Sequence, residues 1–181
     1  MPSRVTAPYQ GTDLITPQRY LPPMTTSAAT VINALTERRA DLSPTRQHLL
    51  LFFCQGHHLA DTGTPLFPEP LHATLDGVQG ELDGDTEPDT ANIDNRQLGT
   101  VGRVLHRYGD MTTADLSTLV VASSAWQLAR RVGDDTRIEW MWLTDWFRRP
   151  AELGDEGRFS QEDLAAEAAR FVAARKARSG G

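Results

Sequence analysis

Leu49-Leu50-Leu51-Phe52-Phe53-Cys54-Gln55-Gly56-His57-His58-Leu59-Ala60 is the stretch whose reading decides the fold. From Leu49 to Cys54 no polar residue interrupts the apolar run. A surface helix keeps its apolar residues on one stripe, so a helix apolar all round belongs in the interior. Both ends of this helix are written locally. Ser43 is a good N-cap and Pro44 suits the first helical position, where a missing N–H costs nothing. Gly63 stands where the left-handed conformation that ends a helix favours glycine. The helix is expected from Pro44 to about Asp61, as the structural centre.

Outward from it, the pattern stays helical. Ala28, Val31, Ile32 and Leu35 are spaced for one helix face, predicting a helix from about Ser27 to Arg39. A third helix is expected over Arg96 to Tyr108, burying Leu98, Val101, Val104 and Leu105, with Gly109 closing it. Thr112 or Thr113 would cap a fourth that carries Leu116, Leu119 and Val120, and Ser124 to Arg131 would continue it after a break. Asp134 or Asp135 would cap a fifth, from about Arg137 to Arg148, stopped by Pro150. An alanine-rich helix is expected from Ser160 to Arg178. The fold class is therefore mainly α: one compact helical domain of about six helices, with a small β-hairpin near residues 66–82. Residues 1–26, holding Pro2, Pro8, Pro17, Pro22 and Pro23, read as an extended or disordered N-terminal arm. Residues 27–150 form the helical domain, and 151–181 a C-terminal linker and helix. Between Asp76 and Asp94 stand seven acidic residues and no Lys or Arg, which predicts a solvated loop.

The totals limit the function. A chain of 181 residues carries one domain with a real core. The formal net charge of −6 argues against a sequence-independent nucleic-acid binder and would attract a basic partner. One cysteine, Cys54, makes an internal disulfide impossible and suits a reducing compartment. The N-terminal region has no apolar run of signal-peptide length, and no stretch approaches a membrane span. The expected location is the cytoplasm, with no membrane or nucleic-acid partner.

Three segments then resemble a known family. Leu50, Leu51, Phe53, Gln55 and Gly56 are followed by Leu59-Ala60 and by Gly63-x-Pro65-Leu66-Phe67. Tyr108-Gly109 leads to Leu116-Ser117-x-Leu119, with Trp126 seven residues after Leu119 and Ala129-Arg130 beyond it. Gly77 and Val78 match part of a Gly-Pro-Val turn. In order and spacing these resemble the hallmarks of the Panacea (SocA-like) antitoxin family, over roughly residues 27–147. The chain departs from the pattern at Gln47-His48-Leu49, Phe52, Thr74, Val120-Val121 and Ser123, as a diverged member would. The resemblance implies a mainly α domain that neutralises a cognate protein toxin by direct contact, without catalysis or cofactor. It also implies, for some members, an adaptor that delivers the toxin to a protease. The alternative within the same scaffold is a phage or mobile-element accessory protein with another protein partner.

His57, His58 and Asp61 share a helical turn, and His57 and Asp61 at i,i+4 could meet one metal ion. A metal site needs three or four converging ligands, and no further ligand is identifiable. The enzyme alternative, a metal-dependent hydrolase, would rest on this cluster. Asp83, Asp85, Glu87 and Asp89 alternate like a calcium loop, but Pro88 stands where its sharp turn needs glycine. No catalytic, cofactor or metal residue is assigned. Trp140, Trp142, Trp146, Ile138, Leu143 and Phe147 sweep about 200° of one helix, more than a surface helix needs. The partner-binding candidates are accordingly Trp140, Leu143 and Phe147, joined by Leu164 and Phe171 of the C-terminal helix.

Overall fold

The computed structural model describes residues 26–82 and 93–149, and in the C-terminal stretch residues 169–170, 172–173 and 176–177. The fold is mainly α, with six helices and a small three-stranded antiparallel sheet among the described residues. The helices are α1 (Ala28–Arg38), α2 (Pro44–Thr62), α3 (Asn95–Tyr108), α4 (Thr113–Ala122), α5 (Ser124–Val132) and α6 (Trp140–Arg148). The strands are β1 (Leu71–Thr74), β2 (Gly77–Gly80) and β3 (Thr136–Arg137), in the order β2-β1-β3. None of the described helices is long and apolar enough to cross a membrane.

α2 is the central element, as its apolar run requires. Leu49 through Gly56 are all buried, which is more than two turns covered on every side. α1, α3, α4, α6 and β2 supply the cover. The Ser43 hydroxyl accepts from the Arg46 N–H, and Gly63 ends the helix at φ 75°. The C-terminal half depends on one close approach: a Cβ on Gly56 would lie 2.0 Å from Cε2 of Phe147. Only glycine lets the α6 ring rest on this turn, where it also meets Phe52 and Phe53.

The hairpin lies where the sequence placed it. β1 and β2 pair from Leu71↔Gly80 to Thr74↔Gly77 across a two-residue turn, Leu75-Asp76. Side chains from three helices hold it. The Gly80 N–H donates to His48 Nδ1 at 2.9 Å. Ser117 Oγ donates to Asp76 O at 2.5 Å. Trp126 Nε1 donates to Gly77 O at 2.7 Å and to Thr74 O at 3.2 Å.

Three local expectations are corrected. The fifth helix does not start at Arg137 under an Asp134 or Asp135 cap. Thr136–Arg137 instead pair with Ala73 and His72 as β3, and the helix begins at Trp140. Asp135 adopts φ 52°, a left-handed turn conformation incompatible with a helix start. Leu119 is 38% exposed, because α4 buries only Leu116 and Val120. On α3 the deepest positions are Gln97, Thr100, Val101, Val104 and Tyr108, whereas Leu98 and Leu105 are only half-buried. An unpredicted capping box at Asp94 sets this helix: its side chain accepts from Arg96 N and Gln97 N, and Gln97 Oε1 accepts from Asp94 N.

The N-terminal arm, the acidic residues Asp83 to Asp89 and the expected helix start at Ser160 lie outside the described residues.

Candidate functional site

The segments that resemble the antitoxin family meet around α2. Gln55, fully buried, closes the turn that follows its own helix. Its Oε1 accepts from Leu66 N at 2.8 Å and Phe67 N at 3.3 Å, while its Nε2 donates to Phe67 O at 2.9 Å. That seats Leu66 and Phe67, both wholly buried, beneath α2. Tyr108 stacks on Phe53 with ring centroids 4.1 Å apart, and its hydroxyl hydrogen-bonds with His57 Nε2 at 3.0 Å. Trp126 and Ser117 reach the hairpin turn as described. Arg46, beside the motif, donates to Gly109 O at 2.7 Å and Met111 O at 3.0 Å, tying the α3–α4 turn to α2. Four sequence-distant segments therefore interlock through these side chains.

The partner-binding candidates are dispersed. Leu143 is fully buried and Trp142 nearly so. Phe147 is half-buried against Gly56, Phe52, Phe53 and His57, so core packing uses its ring. Trp140 is half-buried, with the Arg137 guanidinium 5.5 Å from its ring centroid. The exposed apolar side chain of α6 is Met141, at 64%, which the sequence reading passed over. Leu164 and Phe171 lie outside the described residues, and Ala169, Arg170, Val172, Ala173, Lys176 and Ala177 are helical and exposed.

His57, His58 and Asp61 do not converge. His57 turns to Tyr108 and Phe147, His58 Nδ1 hydrogen-bonds with Thr100 Oγ1 at 3.2 Å, and Asp61 pairs with Arg103. Among the described residues no three His, Cys, Asp or Glu side chains are grouped to hold a metal ion. Burial pushes the Cys54 thiol far up, leaving it protonated packing.

Burial also lowers three imidazoles, those of His48, His57 and His58, below the ordinary histidine range; for His57 and His58 nearby arginines add to this. The unfolded chain therefore binds protons that the folded chain refuses once pH falls below the unfolded value. Stability contributed by these groups is complete above that value and declines as pH drops through it toward the lowered folded values. We expect the melting temperature to fall between roughly pH 7 and roughly pH 5, a window that begins near the free imidazole pKa of about 6.5 and runs below it. An unchanged melting temperature across that window would refute the assignment.

An opening beside these residues lies between α2 and α3. It is a cleft of about 630 Å³ lined by His57, Asp61, Gly102, Arg103, His106 and Arg107. Asp61 and Arg103 form an ion pair across it, and the Arg107 guanidinium stands 5.5 Å from the Tyr108 ring centroid. The sequence pattern carries this face, since Arg96, Arg103 and Arg107 recur at helical spacing on the side of α3 away from its apolar positions.

No protein-family model matches the chain, and no match was found among curated proteins or solved structures.

Proposed function

We propose that the chain is a protein-binding module of the antitoxin type, which neutralises a cognate toxin by stoichiometric contact in the cytoplasm. One observation carries the reading. The residues that resemble the Panacea hallmarks make tertiary contacts with one another: Gln55 with the Leu66–Phe67 turn, Tyr108 with Phe53 and His57, and Trp126 with the Gly77 turn. These contacts tie segments distant in sequence into one frame, which supports a scaffold reading of those residues. Their polar atoms are spent on backbone groups and neighbouring rings, which suits a rigid binding scaffold. The mechanism needs no group transfer: the partner is held, and its active surface is blocked.

The test is co-expression with the product of the adjacent gene. The expected result is a neighbour that arrests growth alone, is rescued by this chain, and co-purifies with it. A neighbour that is harmless alone and fails to co-purify would overturn the antitoxin reading. A harmless neighbour that does co-purify would instead favour the accessory-protein role on the same scaffold.

A further inference from the structure

The geometry points to the solvent face of α3, with the cleft it shares with α2, as a docking surface for a short acidic segment of a partner protein. This names the chemistry of the contact, and it rests on the protein-binding reading above only for the identity of the partner. The exposed positions along α3 include Arg96, Gly99, Gly102, Arg103, His106 and Arg107. At 100° per residue these six fall on one side of the helix, opposite Val101, Val104 and Tyr108. The face carries three guanidinium groups on a chain whose net charge is −6; Arg103 is already paired with Asp61 of the cleft lining, which leaves the charges of Arg96 and Arg107 in excess. It is a local reversal of sign, and complementary charge selects and orients a partner.

The glycines are the second observation. Gly99 and Gly102 stand in the interior of a 14-residue helix, where each costs about 1 kcal/mol relative to alanine. Among the described residues a Cβ at either would meet nothing within 4 Å, so packing against those residues does not require them. Their absence of side chains leaves a flat floor between the arginines, on which another backbone can lie close while its carboxylates reach Arg96 and Arg107. Guanidinium groups suit that role, because their planar fork pairs with a carboxylate through two parallel hydrogen bonds. A nucleic acid fits less well. Its affinity grows with the number of phosphates neutralised, and a long polyanion on this face would run onto exposed Asp94 at one end and Asp110 at the other.

The experiment uses the full chain, a short fluorescein-labelled peptide rich in Glu and Ala, its Lys-for-Glu counterpart, and a labelled DNA duplex. Fluorescence anisotropy is read at low ionic strength, where exposed charges interact most strongly. The acidic peptide should bind, and the lysine peptide and the duplex should not. Arg107→Glu should weaken binding about tenfold or more, as loss of a charge-assisted hydrogen bond does. Gly102→Leu should weaken it similarly by filling the cleft floor, while its melting temperature stays level or rises because glycine leaves the helix interior. Arg131→Glu on α5 makes the same change in net charge away from the face and should leave binding unaltered. Equal binding of the duplex, no binding of the acidic peptide, or binding that survives both Arg107→Glu and Gly102→Leu would each overturn the proposal. None of these outcomes bears on whether the adjacent gene product co-purifies, so the two readings fail separately.

Discussion

Gln55→Leu should destabilise the protein by about 3 kcal/mol or more, since it strands three buried backbone groups at about 1–3 kcal/mol each. Those groups are the N–H of Leu66, the N–H of Phe67 and the carbonyl of Phe67, all bonded to the one amide in the folded chain. Leucine is similar in size but branches one carbon earlier, so the loss of hydrogen bonds comes with a smaller change in packing. The turn from Gly63 to Phe67 cannot move to solvent without withdrawing Leu66 and Phe67, which are 0% exposed. Urea unfolding with an unchanged denaturant slope would measure the loss directly. A Gln55→Leu protein within about 1 kcal/mol of the parent would mean that water satisfies the turn, and that the side chain is not its anchor.

Phe52→Ala should cost about 3–5 kcal/mol, the usual range for deleting a buried aromatic ring. Phe52 is 0% exposed and touches the rings of Phe53 and Phe147 at centroid distances of 5.5 and 5.7 Å. Its loss opens a cavity where α2 and α6 meet, while Leu49 and Leu51 of α2 are held against Gly77 and Gly80 of β2. For a domain of this size the melting temperature should fall by about 10 °C. Met141→Ala, on the 64% exposed side of α6, should stay within about 0.5 kcal/mol of the parent. A thermal melt in which both variants behave alike would remove α2 from the centre of the fold.

The amino-acid sequence by itself determined the helical class, the central place of α2 and the hairpin near residues 66–82. These follow from local causes. An unbroken apolar run, a Ser43-Pro44 start and a Gly63 stop act within a few residues of where they stand, and need no partner to be read. Tertiary structure alone decided the rest. Thr136 and Arg137 leave a helical pattern to become β3, because Ala73 and His72 on β1 offer unpaired backbone groups some sixty residues away in sequence. Leu119 points outward because α4 is covered on the side of Leu116 and Val120 only. Phe147 is drawn onto α2 because Gly56 leaves room for its ring. His57 and Asp61, neighbours at helical spacing, turn to Tyr108 and Arg103 on α3. Periodicity says which residues share a side of a helix. Which side is covered, and by what, is set by elements distant in sequence, whose approach no local pattern encodes.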